Sequence, residues 1–185
     1  HNDARRQRQM CIRDRVNAGK AILRSNAKED QLIFVSGIIG NAYLGLNEFK
    51  DSLALNEKTL SYLHPKAKIE LGLELVGIAS SAIDISDGLL QDLNLICKSS
   101  GIGAEIFLDK IPTFSTEKSL ELINSGDDYE LCFTADESEY AKLMAISEKL
   151  DIPITSIGKT TASKELVLYD NTHNRIEFNS GYKHF

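Results

Sequence analysis

Ser80–Leu93 reads SSAIDISDGLLQDL, and this stretch organises the rest of the chain. Ala82, Ile83 and Ile85 suit a buried strand. Leu89, Leu90, Leu93, Ile96 and Cys97 then recur at helical spacing on one face. Asp84, Ser86, Asp87 and Gly88 fill the turn between strand and helix. Ser86 or Asp87 is placed to cap the helix, whose first N–H groups favour an anion such as phosphate. Asp84 and Asp87 are hard oxygen donors of the kind that hold Mg²⁺ between carboxylate and phosphate. Ordinary capping and an ordinary Asp-Gly turn would explain the same residues. An EF-hand does not: Gly88 is fifth from Asp84 rather than sixth, and the twelfth residue is Leu95 rather than Glu.

Outward from this stretch, the 185 residues are 42% apolar and 26% charged, enough for one well-buried soluble domain. No apolar run approaches the roughly 18 residues of a membrane span and no secretory signal is visible, so a cytoplasmic location is expected. Cysteines 11, 97 and 132 show neither zinc-ligand spacing nor a disulfide framework and read as reduced thiols. Residues 1–15, HNDARRQRQMCIRDR, hold five of the seven arginines without apolar periodicity and read as a segment foreign to the domain, with a basic arm for nucleic acid as the alternative. The chain opens on His1, so it is read as a fragment. Residues 16–185 carry 16 basic and 25 acidic side chains, a net of −9, which argues against nucleic acid and for sites that need cations to receive phosphates.

Upstream, Gln31–Ser36 reads as a strand, followed by Gly37, Gly40 and a helix over 41–49. Strand, glycine loop and helix outline a phosphate site, but GxGxxG and GxxxxGK[ST] are both absent, and close packing or turn formation explains the glycines better. Further helices are expected over 51–63 and 69–78, the second with Ile69, Leu73 and Val76 on one face. Downstream, 104–108 and 129–134 read as strands, the latter with Tyr129, Leu131 and Phe133 on one face. An amphipathic helix follows over 137–150, then short strands at 153–157, 166–169 and 175–178. Strands and helices mix without a strict βαβ rhythm, so the expected class is α+β, a mixed β-sheet packed by helices. Asp127 and Asp128, after Gly126 and before a strand, form a second carboxylate pair. Such acids serve as ligands, general bases or partners of a cationic substrate, or simply as a solvated turn.

In order and content, GKAILRSNAKEDQLIFVSG, YLHPKAKIELG, SAIDISDGLLQDL, SGDDYELCFT, SIGKTTA and GYKHF resemble the C-terminal part of the thiamine-monophosphate kinase family. That family lies within the superfamily of aminoimidazole ribonucleotide synthetase. The resemblance runs from about residue 16 to the end, and SAIDISDGL followed by GDDYEL is its specific signature. It implies the C-terminal domain of the synthetase-like fold over 16–185, with an N-terminal ATP and metal domain missing. It also implies Mg²⁺- and ATP-dependent phosphoryl transfer to thiamine monophosphate, giving thiamine diphosphate, in a homodimeric full-length enzyme that engages neither nucleic acid nor membrane. Residue by residue it implies metal binding by Asp84 and Asp87, ATP contact by Arg24 and Ser86, and substrate contact by Asp127 and Tyr182. No side chain is implied as a covalent catalyst, because positioning and charge neutralisation carry most of this chemistry. Thiamine's permanently cationic ring suits a carboxylate and an aromatic face. Two departures stand out. Ser125-Gly126-Asp127-Asp128 replaces Gly-Gly-Glu-Asp, so the acid at 127 reaches about one methylene less far, and Ala67 and Lys68 replace a proline and an arginine. The alternatives are another ATP-using member of the superfamily, of selenophosphate-synthetase or hydrogenase-maturation type, and a non-catalytic binding domain.

Overall fold

The structure, a computed structural model, describes residues 19–53, 55–115, 117 and 119–178. The segment 1–15, Cys11 and Tyr182 lie outside the described residues.

Leu32–Ser36 (β1) is buried along its whole length because it is covered on both faces. Ile33 and Val35 enter one apolar cluster, while Leu32 and Phe34 enter the other. It lies inside a seven-stranded sheet with Ala79–Asp84 (β2), Gly103–Phe107 (β3), Leu131–Ala135 (β4), Ile154–Thr161 (β5), Leu166–Tyr169 (β6) and Arg175–Ile176 (β7). The strand order is β2-β4-β1-β5-β3-β6-β7. Neighbours are antiparallel except β3 and β6, which run parallel. The sheet is therefore mixed and carries helices, the α+β class expected from the sequence.

Six α-helices are described: Asn41–Ser52 (α1), Glu57–Leu63 (α2), Ile69–Glu74 (α3), Leu89–Ser100 (α4), Ser119–Ile123 (α5) and Tyr140–Leu150 (α6). On one face of the sheet, α4 inserts Leu89, Leu90, Leu93, Ile96 and Cys97 among Ile83, Ile106, Cys132 and Ile157. On the other face, α3 and α6 bring Leu71, Leu75, Leu143 and Ile146 onto Phe34 and Phe133. The face of α3 that the sequence picked out proves to be the outer one. Ile69 and Leu73 are exposed, whereas Leu71 and Leu75 are fully buried, because the helix is a short six-residue segment that docks by its other side.

The thiols of Cys97 and Cys132 are buried, and burial pushes both pKa values up, that of Cys97 to about 11. They are core residues, not nucleophiles. Among the described residues, no helix is long and apolar enough to cross a membrane.

Candidate functional site

β2 ends at Asp84 on the edge of the sheet, and α4 begins five residues later. The sequence placed Ser86 or Asp87 as the cap of α4. Instead the cap position is Gly88 at φ 118°, with no side-chain cap hydrogen bond. The tether runs in the opposite sense: Asp92 reaches back from the helix, and its Oδ2 accepts the Ser86 N–H at 2.9 Å and the Asp87 N–H at 3.0 Å. Asp87 in turn accepts a hydrogen bond from Gln91 Nε2 at 3.2 Å.

Residues 125–130 return across this turn. The Asp127 N–H donates to the Ser86 carbonyl at 3.0 Å, Tyr129 N–H to Ile85 at 2.9 Å, and Ile85 N–H to Glu130 at 2.8 Å. To fit, Asp127 and Tyr129 take left-handed backbone, φ 68° and 51°, which non-glycine residues adopt at a cost. Tyr129 therefore stands outside β4, contrary to the strand expected from 129, and its phenol donates to Asp127 Oδ1 at 3.4 Å. Partial burial, then the charges of Asp127, Asp84 and Asp87, raise its pKa. All three carboxylates thus act on one phenol, at one end of the sheet.

The twisted turn points its two aspartates to different tasks. Asp127 joins Ser86, Asp87, Tyr43, Tyr62 and Lys50 around a cavity of about 570 Å³. Asp128 instead seats the start of α1, accepting the Gly40 N–H at 2.7 Å and the Ala42 N–H at 3.0 Å. That is a cap supplied from 86 residues away. Glu130 is a structural brace, accepting from Ser36 Oγ at 2.5 Å and pairing with Lys68 Nζ at 2.9 Å. Gly37, at φ 61°, backs directly onto its carboxylate, so turn formation and close packing both account for that glycine, as the sequence suggested.

Arg24 and Asp84 border a separate, shallower hollow of about 480 Å³ beside Ile83 and Leu131. Of the residues singled out from sequence, Ser86, Asp87 and Asp127 share one cavity, and Arg24 and Asp84 share the neighbouring hollow. Asp92 and Asp128 were missed as functional supports. Asp92 had a signal: it falls at i+3 from Leu89 and i−4 from Ile96, a charge inside an apolar stripe. Tyr43 and Tyr62 carried no pattern that set them apart.

Burial is the main reason the Asp128 carboxyl is pushed up to about 6, with the charge of Glu130 adding to it. An unfolded chain would hold that proton near the ordinary value of 3.8. The folded state binds the proton more tightly, so this contribution to stability is complete below about pH 4 and lost as pH rises through about 6. Side-chain NMR titration should give a midpoint near 6 for Asp128; a midpoint near 4 would contradict its burial beneath α1.

Among the described residues, no group of three His, Cys, Asp or Glu side chains is gathered as a metal cage. The donors present nonetheless suit Mg²⁺, which takes one or two carboxylates and completes its shell with water and phosphate oxygens. Asp84 is exposed at a strand end and Asp87 lines the adjoining cavity, both on the turn held by Asp92.

Three comparisons bear on this arrangement. The family described as AIR synthase related protein, C-terminal domain, matches residues 18–171. A thiamine-monophosphate kinase of Buchnera aphidicola subsp. Schizaphis graminum is 39% identical, over 92% of this chain and 57% of that protein. The crystal structure of thiamine-monophosphate kinase from Stenotrophomonas maltophilia K279a superposes with a TM-score of 0.75 at 32% identity, over 83% of this chain and 54% of that one. AaThiL complexed with AMPPCP and TMP superposes with a TM-score of 0.71 at 24% identity, a likeness of fold over 89% of this chain and 54% of that one. The chain thus spans a little over half the length of the curated relatives it matches.

Proposed function

The chain belongs to the AIR synthase related protein family, as a C-terminal domain, and from that premise we propose that it serves an ATP-dependent thiamine-monophosphate kinase. The reaction moves the terminal phosphoryl group of ATP onto the phosphate of thiamine monophosphate, giving thiamine diphosphate. One observation carries this reading: the turn bearing Ser86 and Asp87 is hydrogen-bonded to the turn bearing Asp127, and the three residues line one cavity with two tyrosines. The relatives named thiamine-monophosphate kinase support the choice of acceptor.

In this reading each residue has a task that its position allows. Asp84 and Asp87 hold Mg²⁺, which when bound neutralises charge on the transferring phosphates. Ser86, from the larger cavity, and Arg24, from the hollow that also holds Asp84, contact ATP. Asp127, exposed and beside Tyr43 and Tyr62, receives the cationic thiazolium ring, and the resemblance assigns Tyr182, which lies outside the described residues, to the same substrate. No residue needs to form a covalent bond to phosphate, since holding donor and acceptor in line supplies most of the rate. The remaining ATP and metal contacts belong to an N-terminal half, with the full-length enzyme a cytoplasmic homodimer.

The test uses this chain. Incubated with ATP, Mg²⁺ and thiamine monophosphate, it should form no measurable thiamine diphosphate, and turnover by the chain alone would overturn the assignment of missing contacts to another half. Ligand-observed NMR should detect thiamine monophosphate binding, weakened about tenfold by Asp127→Ala, the loss of about 1.4 kcal/mol. Undiminished binding in that variant would remove Asp127 from the acceptor site.

A further inference from the structure

Asp92 is 1% exposed, on the face of α4 that carries Leu89, Leu93 and Ile96 into the core. A carboxylate is costly there, and two further acids stand close enough to make it more so: burial, then Asp87 and Asp84, raise its pKa. An apolar residue would serve the packing better, so the carboxylate is there for something other than packing. Its hydrogen bonds identify one. A single oxygen, Oδ2, takes the backbone N–H groups of Ser86 and Asp87, fixing two successive peptide planes. Because the tether comes from within the helix, the side chains of Ser86 and Asp87 are not used as caps and line the cavity instead. Gly88, at φ 118° and against the Asn124 backbone, lets the chain pass from this fixed turn into the helix.

We propose that Asp92 is a positioning residue, whose buried carboxylate sets the Ser86–Asp87 backbone and thereby aims the Asp87 carboxylate at a divalent cation, beside Asp84 at the end of β2. This rests on the reading of Asp84 and Asp87 as cation ligands. Asp92 does not touch the cation, being buried behind the turn; it acts only through the two peptide groups it holds. Charge-assisted bonds to backbone N–H groups are about twice as strong as neutral ones, so a neutral acceptor of the same shape should hold the turn less firmly.

The test compares this chain with Asp92→Asn and Asp92→Ala, using Mn²⁺ alone as the probe. Without metal, amide exchange at Ser86 and Asp87 should be about tenfold faster in Asp92→Asn, and faster still in Asp92→Ala, while β1 amides keep their protection. Paramagnetic broadening by Mn²⁺ should centre on residues 84–87, with the dissociation constant raised severalfold in Asp92→Asn and about 10–100-fold in Asp92→Ala. A merely structural role would lower the unfolding midpoint and leave turn exchange and Mn²⁺ affinity of the folded protein as they are, which would overturn the proposal. Weaker Mn²⁺ binding with unchanged exchange would also overturn it, leaving Asp92 as distant charge. If the wild-type chain shows no broadening near 84–87, the ligand reading itself fails and the proposal with it. Should Asp92→Ala not fold, the isosteric Asp92→Asn decides between these outcomes.

Discussion

Replacing Gly126 by alanine is expected to force the two acidic turns apart. A Cβ at this position would lie 2.2 Å from the Ser86 carbonyl oxygen and 3.0 Å from its carbon, both backbone atoms that no rotamer change can move aside. The same carbonyl accepts the Asp127 N–H, so the displaced atom is the one that joins the turns. Overpacking of this kind costs about 1–3 kcal/mol. The larger effect falls on function, since a displacement near 1 Å in a positioned site lowers rates by about 100-fold. In this chain the check is NMR: Asp127 amide protection should be lost and thiamine monophosphate binding should fall below detection, while the β1 and α4 amides stay protected. Retained Asp127 protection would mean that the turns stay joined around the added methyl group, and the close approach at Gly126 would not be what the site depends on.

Truncating Phe133 to alanine should have the largest effect on stability. Phe133 is fully buried and stacks on Phe34, its register partner in β1, with ring centroids 5.3 Å apart and planes 15° from parallel. Leu71, Leu75 and Leu143 close the same cluster, so the hole left behind has walls on several elements and little freedom to collapse. Loss of about 3–5 kcal/mol is expected, a large share of the roughly 5–15 kcal/mol that holds a domain folded. Denaturant unfolding would measure it, with Phe133→Leu as the milder companion. A change below about 1 kcal/mol would show that the face under α3 and α6 does not depend on this ring pair.

The two halves of the chain's chemistry differ in how far they could be read in advance. SSAIDISDGLLQDL yields its strand and helix almost to the residue, because the shift from a strand-like run to a 3.6-residue period is a local property. The same reasoning found a shared face in α3 but not which side is buried, because a six-residue helix offers two apolar sides and contact with Phe34 and Phe133 selects Leu71 and Leu75. It also extended β4 to Tyr129, since apolar alternation does not reveal the left-handed backbone that the crossing with Ile85 imposes.

What the sequence determined by itself was the inventory: two acidic turns at the ends of strands, their side-chain types, and a family signature across both. What only the tertiary structure decided was their meeting. Ser86 and Asp127 are joined by backbone hydrogen bonds across some forty residues of chain, a contact that no periodicity encodes. It also divided the labour between neighbours that look alike in the sequence. Asp127 faces the cavity while Asp128 caps a distant helix, because the turn is pinned to Ser86 on one side and to the start of α1 on the other. The physical reason is common to both: local propensity selects helix or strand, but the direction of a side chain in a turn is set by what the backbone must pack against.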